Sequence, residues 1–298
     1  MTRKFLWGVI IVLLVTNLTT LAIWMNERNG SVNDLFGLGL RKGDPVATIG
    51  DQDISYEVWA KSLEGKYGKQ VLKDLVNKDL VFRLAEREGI NINEKLLERE
   101  LSLLFTMEGV LTKEEISKKE KEWEKDVTYH LYLKELLTKD IAVSDQEIEE
   151  YYSNYKGQYE FEESIQLSHI VVNDTDTADK VISELEDGYS FSALAKEYSL
   201  DESSRNDGGY LGFFTKGSEF LPSDYYERAV KLEEHSYSPP FITDEGVVIL
   251  YLHRLLPSVS FSYEEIKPHI KREIALEQVS SVEAGHLWEE FGVNWIYE

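Results

Sequence analysis

An uninterrupted run of apolar and neutral residues from Phe5 to Met25 constrains this chain more than any other feature. Its 21 residues, rising about 1.5 Å each as a helix, cover about 30 Å, the hydrocarbon thickness of a bilayer. Trp7 and Trp24 lie near its ends, where aromatic rings favour the membrane interface. Arg3 and Lys4 precede it, so the positive-inside tendency holds the extreme N-terminus in the cytoplasm and sends the body outside. Thr19, Thr20 and Ala22 are small enough for a signal peptidase, which makes cleavage the competing reading. The length of the run and its continuation to Met25 favour an uncleaved single-pass anchor in the cell membrane. Residues 1–28 are therefore expected to form a cytoplasmic tip and transmembrane helix. The chain has no cysteine, which excludes a lipidated-cysteine anchor.

The rest is water-soluble in character. Asp and Glu number 55 against 32 Lys and Arg, for a formal net charge of −23. Such a surface repels nucleic acid and anionic headgroups, so neither is an expected partner, and membrane contact is expected only through residues 5–25. The six histidines (130, 169, 235, 253, 269, 286) show no metal-ligand spacing, and no Ser-His-Asp or phosphate-loop pattern stands out. No metal and no cofactor is expected.

Residues 29–44 are rich in Gly, Asn and Asp, show no periodicity, and read as a spacer. PVATIGDQDIS then reads as strand, turn and strand, with Ser55 placed to cap a helix from Tyr56. Val71, Leu72, Leu75, Val76, Leu80 and Leu84 share one helical face, and Gly89 is a good stop. A further helix fits after Asn93, with Leu96, Leu97, Leu101 and Leu104. Thr112 with Glu115 and Ser144 with Glu147 have capping-box spacing. Residues 45–160 thus form a mainly helical domain.

The pattern changes near 164. SIQLSHIVV reads as a strand, a helix over 175–187 stops at Gly188, and FSALAKEY reads as a second, shorter helix. A polar loop with Gly208 and Gly209 follows, then a helix near 223–232, and VVILYLH closes the segment as a strong strand. This is a compact α+β domain over 164–256. Ser262 with Glu265 opens a long helix over 263–290, and the chain ends on the strand-like NWIYE.

Five pieces of 164–256 together resemble the parvulin-type peptidyl-prolyl cis/trans isomerase domain. They are SHIVV (168–172), GYSFSALAKEYSLDESS (188–204), GGYLGFF (208–214), LPSDYYERAV (221–230) and TDEG (243–246), in the family's order and spacing. The flanks resemble the PrsA and SurA foldases: VATIGDQDIS is similar to their opening segment, and VSDQEIEEYYSNY to their lead-in to the isomerase domain. The resemblance covers about 46–298. It implies an antiparallel parvulin-like sheet domain with helices, inserted in a mainly helical chaperone-like domain, with 261–298 packing back on the N-terminal domain.

Carried over by position, the resemblance implies catalytic roles for His169 and Asp201. Phe220 or Leu221, with Tyr226, would form the apolar slot for the proline ring, and Thr243 would precede the last strand at the site. Two positions depart from the family. Its second histidine is Val248 here, and the acidic residue usual inside GGxLG is Tyr210. Neighbouring His253 cannot substitute for 248, because a strand places those two positions on opposite faces. Blander readings stay open: Asp201 as a turn former, Phe220, Leu221 and Tyr226 as core, and Gly208 and Gly209 as serving backbone geometry.

Rotation about an X–Pro bond has a barrier of about 18–20 kcal/mol from amide resonance, and an isomerase lowers it by favouring the twisted amide. The resemblance therefore implies a membrane-anchored foldase acting on X–Pro bonds of unfolded or newly exported polypeptides. The alternative is a non-catalytic, ATP-independent chaperone or assembly factor with a degenerate parvulin domain, motivated by Val248.

Overall fold

The structure, a computed structural model, describes residues 45–297 apart from Ser223. The apolar run 5–25 and the spacer 29–44 lie outside the described residues. Among the described residues no helix is long and apolar enough to cross a membrane. Those residues fall into two compact units, 45–76 with 294–297, and 77–293.

In the first unit, β1 (Pro45–Ile49) and β2 (Gln52–Ser55) pair antiparallel. Gly50 turns the chain between them at a positive φ of 63°, which a side chain would resist. The Ser55 side chain accepts the backbone N–H of Val58 and so opens α1 (Tyr56–Leu63). Helix α2 (Lys69–Glu88) follows; Val71 and Leu75 of its expected apolar face are exposed. The closing strand expected over NWIYE is absent from its described residues, 294–297. Trp295 and Tyr297 pack edge-on at 5.6 Å, and among the described residues no strand pairs with this segment.

The second unit contains the end of α2, then α3 (Glu94–Thr106), α4 (Lys113–Thr138) and α5 (Asp145–Tyr155). Thr112, Ser144 and Ser262 each form the full reciprocal capping box with the glutamate three residues on. Leu80, Val81 and Leu84 of α2 bury against Leu133 and Leu136 of α4. The expected single helix over 263–290 is two pieces, α9 (Tyr263–Leu276) and the one-turn α10 (Trp288–Phe291). The break spans VSSV at 279–282, where β-branched residues and serines disfavour helix. After it the chain packs Ala284, Trp288 and Phe291 onto the α2–α4 cluster, and the Trp288 indole N–H donates to Asn77 at 2.7 Å.

Between α5 and α9 lies the sheet. Its strands are β3 (Ser164–Val172), β4 (Tyr210–Thr215), β5 (Ser236–Tyr237), β6 (Phe241–Thr243) and β7 (Gly246–Leu256). All pairings are antiparallel, in the order β4-β3-β7-β5, with β6 also on β7. All nine residues of β3 are buried, because helices cover both faces. Helices α6 (Thr175–Glu186) and α7 (Phe191–Tyr198) cover Ile170, Val172, Val247 and Ile249. On the other face, the five-residue α8 (Tyr225–Ala229) packs on Ile165, Leu167, Val248 and Leu250. The helix expected near 223–232 is thus shorter than its sequence pattern. The architecture is α+β, with an antiparallel sheet domain carried between helical segments.

Candidate active site

Strand alternation sends His169 to the α8 face and its neighbour Ser168 to the α7 face. His169 is buried at 4 % exposure. Its Nε2 lies 2.8 Å from Asp201 Oδ2, and its Nδ1 lies 3.0 Å from the Tyr225 hydroxyl.

Asp201 reaches the ring because the loop after α7 is tied to β3. The Leu200 N–H donates to Val171 O and the His169 N–H to Gly209 O, each at 2.8 Å. Gly209 has φ +79°, and a Cβ there would stand 2.1 Å from the His169 carbonyl oxygen, so only glycine permits this approach. The Asp201 carboxylate also accepts from the backbone N–H and hydroxyl of both Ser203 and Ser204, at 2.5 to 3.3 Å. Burial works to raise its pKa. The hydrogen bonds from Ser204, His169 and Ser203 outweigh that and hold the carboxyl well below the usual range. Asp201 is therefore both a turn former and the ionised partner of His169.

Exposure rises along this line of groups. Tyr225 is fully buried, the His169 side chain is 5 % exposed, and the Asp201 side chain is 24 % exposed. Burial, then the charges of Glu245 and Asp201, push the Tyr225 phenol well above its ordinary pKa, so it stays protonated.

Other expected site residues are placed differently. Phe220 is 91 % exposed and walls no closed slot. Leu221 is half-buried against the α8-face core. Tyr226 is buried in that core, and its hydroxyl donates to Glu163 Oε1 at 2.8 Å. The Thr243 hydroxyl donates to Gly246 O and accepts from the Glu245 N–H, closing the β6–β7 turn. Val248 is fully buried, paired across the sheet with Val171 and Phe241. Tyr210 accepts from Gln166 Nε2 at 3.0 Å. His253 does lie on the face opposite Val248, with Nε2 at 2.7 Å from Ser168 Oγ. It borders a cavity of about 610 Å³ with Val110, Leu111, Phe191 and Tyr251, on the side of the sheet away from His169.

Sequence reasoning missed Tyr225. The signal was present as the pair Tyr225–Tyr226, but the frame of a five-residue helix decides which tyrosine faces His169.

Residues 143–268 match the profile of the PPIC-type PPIase domain. The YacD protein of Bacillus subtilis is 37 % identical over 257 residues, covering 86 % of each chain. This chain belongs to the parvulin family. Among its relatives, the foldase protein PrsA of a Geobacillus species is 29 % identical over 253 residues, covering 83 % of this chain and 84 % of that one. A solved PrsA structure from Bacillus cereus covers 86 % of this chain and 95 % of that chain, at 23 % identity and a TM-score of 0.32. As a parvulin of the PrsA and YacD type, the chain carries the family's isomerase domain in the same stretch as the Tyr225–His169–Asp201 line.

Proposed function

We propose that this parvulin catalyses cis/trans isomerisation of X–Pro bonds in polypeptides exported across the membrane to which residues 5–25 anchor it. The observation carrying this reading is the buried Tyr225–His169–Asp201 line, which ends in a partly exposed carboxylate. Asp201 is the member that can touch substrate. The hydrogen bonds that lower its pKa keep it anionic at neutral pH.

An anion beside the susceptible carbonyl acts on amide resonance. The planar amide carries extra negative charge on its oxygen, and twisting removes part of it. At about 4 Å and an effective dielectric of about 20, each tenth of a charge removed favours the twisted form by about 0.4 kcal/mol. The contact thus supplies a several-fold rate gain, since about 1.4 kcal/mol is tenfold. Preferential binding of the twisted proline supplies the rest.

The anchor rests on the length and flanks of the apolar run. It would hold the foldase at the membrane face where clients emerge unfolded, with no need for ATP. The test is a protease-coupled assay with an X–Pro peptide. A rate above background, lost in Asp201→Ala, is expected. Background rates from folded protein would return the domain to the chaperone alternative.

A further inference from the structure

The position the family resemblance gives to a second histidine is Val248, buried in the apolar core and unable to hydrogen-bond. The His169 ring nevertheless has both nitrogens paired. The ionised Asp201 carboxylate only accepts, so Nε2 carries the hydrogen and donates it to Oδ2 as a hydrogen bond. In the neutral ring Nδ1 is then a bare acceptor, and a buried acceptor left unpaired is costly. The Tyr225 hydroxyl fills that need from α8.

Tyr225 is built to face this way. Its ring packs edge-on against Phe241 at 5.8 Å, in the cluster that also holds Val248. Among the described residues its hydroxyl has no other hydrogen-bond partner than His169. The preceding residue, Asp224, holds a left-handed φ of 73° with no side-chain cap on the helix. A non-glycine residue adopts that backbone only when its surroundings impose it, and such strain gathers at functional sites. Here it turns the chain immediately before the side chain that meets His169. Tyr226, next in sequence, points its hydroxyl at Glu163.

We propose that Tyr225 is the positioning residue of this site: it replaces the family's second histidine, fixing His169 as the Nε2–H tautomer that aims the Asp201 carboxylate. The hydrogen-bonding function has moved from strand β7 to helix α8, and Val248 is the packing residue that this transfer allows. The loss at 248 is then an exchange of partners, not decay. This rests on the isomerase reading for its catalytic consequence, but not for its structural one.

Tyr225→Phe removes the hydroxyl and keeps the ring. In the full-length protein, nitrogen-15 resonances of the His169 imidazole, assigned through His169→Gln, should show Nε2 protonated and Nδ1 as a hydrogen-bonded acceptor. In Tyr225→Phe the Nδ1 resonance should move and the tautomers mix, while Tyr226→Phe should leave both His169 nitrogens unchanged. Isomerase kcat/KM should fall about tenfold through kcat, as for one lost hydrogen bond inside a buried network, and the unfolding temperature should fall by several degrees as the buried Nδ1 loses its partner. Val248→His added to Tyr225→Phe should recover most of the lost rate and return Nδ1 to a bonded shift. If that double variant does not fold, the single-variant spectra decide the question. Unchanged His169 resonances in Tyr225→Phe would overturn the proposal, as would kcat/KM falling only in proportion to lost folded protein. A wild-type protein with no isomerase activity but the expected resonances would reject the proposed function and keep the assignment of Tyr225.

Discussion

Mild acid should destabilise this protein through His253, on the far side of the sheet from the proposed active site. The ring is buried, packs on Tyr251 at 4.8 Å and on Tyr210 at 6.1 Å, and bonds Ser168 Oγ through Nε2. Burial, with a smaller contribution from His235, pushes its pKa down from 6.5 to about 4. A histidine whose folded pKa lies below its unfolded value stabilises the fold above about pH 6.5 and loses that contribution as pH falls toward 4. Over the interval from about pH 7.5 to pH 5 the loss is about 2 kcal/mol. For a unit of this size that corresponds to a fall of roughly 4–8 °C in unfolding temperature. The hydrogen-bonded carboxylates Asp201 and Glu265 titrate in the native state well below this interval, so they do not obscure it. The assay is thermal unfolding of wild type and His253→Gln at the two pH values. The variant, which keeps a polar partner for Ser168, should lose the His253 share of the shift and keep a smaller remainder from His130 and His235, whose pKa values burial also lowers. Equal shifts in both proteins would refute the burial argument.

Three further outcomes follow from the same physical accounting. Gly209→Ala places a methyl against the His169 carbonyl at a positive φ, so it should cost at least about 1–2 kcal/mol and lower isomerase activity; melting and peptide assays check both. Ser262→Ala removes the cap of α9 and should cost about 1 kcal/mol with no change in activity per folded molecule, measured by denaturant unfolding. The full chain should stay in the membrane fraction after alkaline carbonate extraction, whereas a chain starting at residue 30 should be released. Release of both would remove the anchor reading.

Features written in local chemistry were legible in the sequence. The three capping boxes at Thr112, Ser144 and Ser262 form as their spacing indicates, because both partners lie within one turn. The alternation that separates Val248 from His253 is likewise a local property of β7. The errors arose where long-range partners decide. The 263–290 periodicity did not reveal that VSSV would break the helix so that Trp288 could dock on α2 and α4. NWIYE has strand composition, but among the described residues no strand pairs with it. In the site, motif order located His169 and Asp201, which the fold brings within 2.8 Å. Tyr225 stayed hidden behind Tyr226, since one residue of frame in a five-residue helix exchanges their partners.

The most direct test of the central claim is exchange NMR on an X–Pro peptide with the protein at catalytic concentration. Cis/trans exchange cross-peaks should appear with wild type and vanish with Asp201→Ala of equal folded content. Exchange no faster than in peptide alone, from protein shown to be folded, would contradict the account.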